Sequence, residues 1–146
     1  MNSQSKKYQN ELTVGSSTNN LSAIREFTEK AAAESGFGKE DIGKIILAVD
    51  EACTNIIKHA YNYSEKGTIT LNIKMQNSKF SISISDEGNS FNPELIPEPD
   101  IKEYHAQKRV GGLGMFLMKK LMDDVVYKTL PNQKNQVILI KYLSKN

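Results

Sequence analysis

The chain has 146 residues, with 19 Lys+Arg against 17 Asp+Glu and a formal net charge of +2. That length buries roughly two-thirds of the unfolded surface, enough for one core without a disulfide scaffold. The near-neutral balance argues against a general nucleic-acid binder, which depends on many phosphate contacts. The 38% apolar content is low for a globular domain but too high for a wholly disordered chain. The single cysteine, Cys53, has no partner for an internal disulfide, which fits a reducing compartment. The first residues are polar rather than signal-like, and no apolar run approaches the roughly 20 residues of a membrane span. A cytoplasmic protein with no membrane or direct nucleic-acid partner is the expectation, with residues 1–6 outside the ordered part.

The elements follow in chain order. Residues from Lys7 to Val14 are a candidate first strand, and Ser16 to Asn20 supply turn and N-cap residues. Leu21, Ile24, Phe27, Ala31 and Ala32 recur at helical spacing, and Gly36 and Gly38 stop the pattern. A second helix is predicted from Lys39 to Tyr61. Its wide apolar stripe runs from Ile42 through Ile45, Val49, Cys53 and Ile56 to Ala60, so the helix should lie against a sheet. Thr68 to Met75 alternates, and so does Phe80 to Ser85. Asn77-Ser78 between them reads as a hairpin turn.

Asp86 to Val110 has no periodicity and carries Pro93, Pro97 and Pro99. A structureless stretch of about 25 residues is usually functional. Gly111-Gly112-Leu113-Gly114 then opens an apolar helix, Met115 to Met122. Val125 to Leu130 and Gln136 to Leu143 read as closing strands around Pro131 to Lys134. Hairpin-linked strands with helices sharing one face give an α+β two-layer sandwich, with a mixed, mostly antiparallel sheet.

Three short motifs carry chemistry. Glu51 and Asn55 lie one helical turn apart on one face. A carboxylate there can take a proton, and an Asn oxygen can ligate Mg²⁺. Asp86-Glu87-Gly88-Asn89-Ser90-Phe91 follows a strand. Its leading carboxylate can accept a hydrogen bond from an exocyclic amine such as that of adenine, while Gly88 lets the backbone turn. Gly111 to Met115 places three of the chain's nine glycines at a helix start. Free N–H groups and the helix dipole there favour phosphate. Taken singly, these motifs are better explained as a solvated helix face, an ordinary turn and a hinge. No Walker-type run occurs, so a P-loop NTPase is not supported.

In this order, with a long loop between the last two, the motifs resemble the N, G1 and G2 boxes of the Bergerat-type ATP site of the GHKL superfamily. The run Leu47 to Tyr61, the run Gly111 to Met118 and Leu121-Met122-Asp123-Asp124-Val125 resemble one branch of it, the bacterial anti-sigma factor serine/threonine-protein kinases. The resemblance covers about Leu21 to Leu143 and implies a single ATPase-type kinase domain over 1–146. By that resemblance Glu51 is the catalytic base and Asn55 the Mg²⁺ ligand, while Asp86 reads adenine and Gly88 lets the base lie close. The G2 run supplies phosphate contacts through Gly112, Leu113, Gly114 and Met115. Residues 92–110 become the ATP lid, from which Lys108 or Arg109 reaches the phosphates. Ser90 departs from the superfamily's second G1 glycine and reads, with Phe91, as a mark of the branch.

The implied cofactors are ATP and Mg²⁺. The implied partners are an anti-anti-sigma STAS-domain protein, which is phosphorylated, and an RNA polymerase sigma factor, with a homodimer as the common assembly. The competing reading is a nucleotide-dependent partner-switching module that transfers no phosphate. A histidine-kinase catalytic domain is disfavoured, since His59 and His105 are not on a dimerisation helix pair, and gyrase- or chaperone-like ATPases need a transducer domain. Cys53 and the Met-rich helix read as core. His59 reads as structural and His105 as a solvated residue of the lid.

Overall fold

The structure, a computed structural model, describes residues 8–90 and 118–144. Five strands form one sheet in the order β1-β2-β3-β5-β4. They are β1 (Tyr8–Gly15), β2 (Thr68–Gln76), β3 (Lys79–Asp86), β4 (Asp124–Leu130) and β5 (Lys134–Tyr142). All four pairings are antiparallel, so the mostly antiparallel sheet expected from sequence is wholly so among the described residues. The helices α1 (Leu21–Glu34) and α2 (Lys39–Asn55) cover one face. Among the described residues, no helix is long and apolar enough to cross a membrane.

Local chemistry explains the boundaries. Ser17 accepts a hydrogen bond from the Asn19 amide and caps a short 3-10 turn (Thr18–Asn20) that leads into α1. At the other end Gly36 takes φ +104, a left-handed conformation that suits glycine and ends α1. Asn77 and Ser78 both have positive φ, and Gln76 pairs with Lys79. This is the two-residue hairpin turn whose twist matches that of the strands.

The period-2 pattern of β2 and β3 puts Ile69, Leu71, Ile73, Phe80, Ile82 and Ile84 on the covered face, all fully buried. They meet Ile45, Ala48, Val49, Ala52 and Cys53 of α2 and Ile24 and Ala31 of α1. Phe37, in the connection between the helices, packs edge-on against Phe80 with ring centroids 5.2 Å apart. Cys53 is a core residue, as expected, and burial pushes its thiol far up.

One element departs from expectation. The predicted second helix does not run regularly to Tyr61. It is α-helical to Asn55 and continues as a π-helical segment, Ile56–Ala60. The wider turn rephases the chain immediately after Asn55, and such segments recur at functional sites. Residues 118–121 form a helical turn with Met118 buried, and Met122 follows it into the core. The turn is tied to β5 by Lys141, whose Nζ donates to the Leu121 carbonyl at 3.0 Å.

Candidate functional site

A cavity of about 370 Å³ opens between α2 and one end of the sheet. Its wall includes Ala52, Asn55 and Ile56 from the helix side, Asp86 and Ser90 from β3 and the segment after it, and Asn135 from β5. Met118 and residues of β4 complete it. Thus Asn55 and Asp86, assigned from separate motifs, line one cavity.

The Asp86 end is built from hydrogen bonds. Asp86 is the last residue of β3, and its Cα partner in the ladder is Asn135 of β5. Asp86 Oδ1 accepts from the Gly88 amide at 2.9 Å and from Asn135 Nδ2 at 3.0 Å. Burial pushes the Asp86 carboxyl up, and these two bonds pull it partly back. The backbone then turns away at Gly88, where glycine is required. A Cβ there would stand 2.6 Å from the Ala60 carbonyl oxygen. That same oxygen accepts from the Asn89 amide at 2.8 Å, so the loop after β3 is laced to the end of the π segment.

Tyr61 completes the lacing. Its hydroxyl donates to the Thr68 carbonyl at 2.7 Å and accepts from the Glu87 amide at 2.9 Å. Its ring crosses the face of Gly67, where any Cβ would clash with the ring. Gly67 therefore makes room for the ring that reaches Glu87.

The other end differs. Asn55 is the last residue of α2, 4% exposed, and its Nδ2 is buried without a hydrogen-bond partner among the described residues. A half-turn of the carboxamide exchanges oxygen and nitrogen, so the group can present its oxygen to a hard cation. Glu51 lies one turn earlier, partly exposed, and is not among the residues that line the cavity. Burial raises its pKa, Asp50 beside it adds to the rise, and Lys58 opposes it. Asp50 is itself held by Arg25, with Nε to Oδ1 at 2.9 Å. His59 is outside the cavity wall too, and burial lowers its pKa, with Lys58 adding to the effect.

These features fit ATP with Mg²⁺ on two observations of the chain itself. One is the buried Nδ2 of Asn55, without a partner among the described residues, and the other is the cradle at Gly88 that a side chain would fill. The candidates Lys108, Arg109, Gly112, Leu113, Gly114 and Met115, the lid over 92–110 and His105 all lie outside the described residues.

Sequence reasoning missed Asn135. It also missed that Tyr127, Lys128, Thr129, Gln136 and Val137 reach the cavity. By sequence the closing strands read as structure alone. The one local signal was a polar pair, Asn135-Gln136, at the start of an otherwise apolar strand.

Residues 14–141 match the family of the histidine kinase-like ATPase domain. The serine-protein kinase RsbW of Listeria monocytogenes serovar 1/2a is 37% identical over 118 residues, covering 78% of this chain and 74% of the relative. The serine-protein kinase RsbW of Bacillus velezensis is 30% identical over 139 residues, covering 92% of this chain and 85% of the relative. Among solved structures, the RsbU and RsbW domains of Rv1364c from Mycobacterium tuberculosis share the fold at a TM-score of 0.67 and 17% identity. That alignment covers 95% of this chain and 33% of the solved one. The Glu51–Asn55 helix, the Asp86–Gly88 turn and this similarity along most of the chain agree: it belongs to the histidine kinase-like ATPase family and, within it, to the anti-sigma factor serine/threonine-protein kinases.

Proposed function

We propose that this chain is an anti-sigma factor that binds ATP with Mg²⁺ and phosphorylates a serine or threonine of an anti-anti-sigma STAS-domain protein. Its other partner is an RNA polymerase sigma factor, and phosphorylation decides which partner is held. The protein acts in the cytoplasm as a homodimer of one-domain chains, without direct contact to nucleic acid or membrane. The observation that carries the reading is the convergence of Asn55 and Asp86 on one cavity, in a chain whose relatives are named serine-protein kinases.

Asp86 accepts a hydrogen bond from the exocyclic amine of adenine, and the glycine turn at Gly88 lets the base lie against backbone. Asn55 holds Mg²⁺, which when bound neutralises charge on the phosphates. The Gly112–Met115 run and Lys108 or Arg109 of the lid contact the phosphates. Glu51 takes the proton from the partner's hydroxyl as that oxygen bonds to the γ-phosphorus. The bond from the γ-phosphorus to the bridging oxygen breaks, and ADP leaves. A carboxylate with a raised pKa is closer to the task of a base near neutral pH than an ordinary glutamate.

The test combines the protein, ATP-Mg²⁺ and a STAS-domain protein, with phosphoserine and phosphothreonine read by mass spectrometry. Glu51→Gln is expected to slow transfer by about 10²–10⁴-fold while nucleotide affinity stays within about threefold of the unsubstituted chain. Full transfer by that variant removes Glu51 as the base. Tight ATP binding with no phosphoprotein formed, across several STAS proteins, leaves the partner-switching module in place of the kinase.

A further inference from the structure

Asp86 Oδ1 is saturated. It accepts from both the Gly88 amide and Asn135 Nδ2. Both donors of the Asn135 carboxamide are used as well. Its Nδ2 donates a second hydrogen bond to the Gly88 carbonyl at 3.1 Å, and its Oδ1 accepts from the Ser90 hydroxyl at 2.9 Å. This pattern fixes which end of the carboxamide is nitrogen, because carboxylate and carbonyl oxygens only accept. Asn135 therefore has no donor left for a ligand, although it lines the cavity. Asp86 Oδ2 has no partner among the described residues.

We propose that Asn135 is the positioning residue for nucleobase selection. It clamps Asp86 through Oδ1, so that Oδ2 is the acceptor offered to the ligand, and thereby selects a 6-aminopurine over a 6-oxopurine. The proposal rests on the nucleotide reading of the cavity and adds to it the residue that sets its discrimination. The physical reason is one of direction and charge. A carboxylate held by two donors on one oxygen is fixed in orientation, and both donors favour its ionised form against the burial that raises its pKa. An amine then finds an acceptor. A 6-oxo group meets a second acceptor in a desolvated site, the kind of unpaired contact that strongly discriminates between analogues.

Without Asn135, Oδ1 loses one of its two donors. Burial, which already raises the Asp86 pKa, is then less opposed. A larger protonated fraction can donate to a 6-oxo group, and a less tethered carboxylate can turn to do so. The titratable groups around it are Glu87 next in the chain, Lys128 on the cavity wall, Lys134 beside Asn135, and Lys58 and His59 on the π-helical segment. None of these is among the causes of the Asp86 shift.

The experiment compares dissociation constants of ATP-Mg²⁺ and ITP-Mg²⁺, measured by calorimetry on the whole chain at neutral and mildly acidic pH. The unsubstituted chain is expected to prefer ATP by at least about tenfold, roughly one such mispaired contact. Asn135→Ala is expected to reduce that ratio to about threefold or less, and to reduce it further on acidification. Asn135 is at a partly exposed strand position, so the fold should survive the change. Ser90→Ala provides a second reading, since it removes only the donor to Asn135 Oδ1 and changes an exposed residue. It should lower the ratio by about twofold with an unaltered melting temperature. An unchanged ATP/ITP ratio in both variants, with the unsubstituted chain discriminating, overturns the role of Asn135 alone. An unsubstituted chain that binds neither nucleotide overturns the nucleotide reading and this inference together.

Discussion

Asp86 and Asn55 face one cavity under opposite conditions. Asp86 has both bonds to Oδ1 made and its neighbouring loop laced to the helix by Gly88, Asn89 and Tyr61. Asn55 is equally buried, yet its Nδ2 has no partner among the described residues, and nearby Glu51 is held away from its ordinary pKa by burial and by Asp50. The first arrangement is finished before any ligand arrives. The second carries a standing cost, because an unpartnered buried polar group is unfavourable by about 1–3 kcal/mol. On the proposed function, the difference separates recognition from chemistry. Groups that select a ligand gain from being fixed in advance, whereas groups that meet a cation or a moving proton must be left incomplete.

The contrast can be broken most severely at Gly88. Gly88→Ala drives a Cβ to within 2.6 Å of the Ala60 carbonyl oxygen, which is already engaged by Asn89. Neither backbone segment can yield cheaply. ATP affinity should fall by at least about 100-fold, by analogy with other overpacking costs of about 1–3 kcal/mol plus the lost loop geometry. Titration calorimetry checks this, and affinity within threefold of the unsubstituted chain would show that the turn is not a fixed frame.

A change at Asn55 sharpens the other side. Asn55→Ala removes a buried amide nitrogen that has no partner among the described residues, so the melting temperature should hold or rise slightly. The enhancement of ATP binding by Mg²⁺ should nonetheless drop by about tenfold or more, on the scale of one lost charge-assisted contact. Binding measured with Mg²⁺ and with a chelator separates the two effects. A destabilised variant with intact Mg²⁺ dependence would reverse the assignment.

Acidification probes the Glu51 end. As the proposed base, Glu51 must be ionised to accept a proton, and its pKa is raised. The acidic limb of the transfer rate should therefore lie above the ordinary glutamate range. Lys58→Ala, which removes the opposing cation, should move that limb further up. A pH–rate profile on both proteins reads the shift, and coincident limbs would count against Glu51.

The smallest expected effect is at Tyr61. Tyr61→Phe keeps the ring beside Gly67 but loses the bonds to Thr68 and Glu87. A cost of about 1 kcal/mol and a drop of a few degrees in melting temperature are expected. ATP affinity should weaken only severalfold, because the Asn89 amide still ties the loop to Ala60.

The strands and helices were legible because their signals are local. Alternation marked β2 and β3, and the Gly36 and Asn77-Ser78 stops were turn chemistry that the backbone angles bear out. The motif residues Glu51, Asn55, Asp86 and Gly88 were legible as residue types at fixed spacing. The π-helical segment was not, since its apolar pattern satisfies an α-helix equally well. Asn135 was not legible either. Its meaning depends on β5 lying beside β3, a pairing between residues 49 positions apart. No short window contains that fact.

The distance between those two residues also bears on assembly. Asp86 finds Asn135 only when β5, the last of the five described strands, has zipped onto β3 across the whole 87–134 connection. Closing such a loop is slow compared with forming the β2–β3 hairpin. A partly folded chain with α2 docked on that hairpin would present Asn55 and Asp86 without the clamp. The cavity that Asp86 and Asn135 line is thus a property of the completed sheet, and any ligand held there favours the finished fold over an intermediate, by about 2.7 kcal/mol when its concentration is 100-fold above Kd.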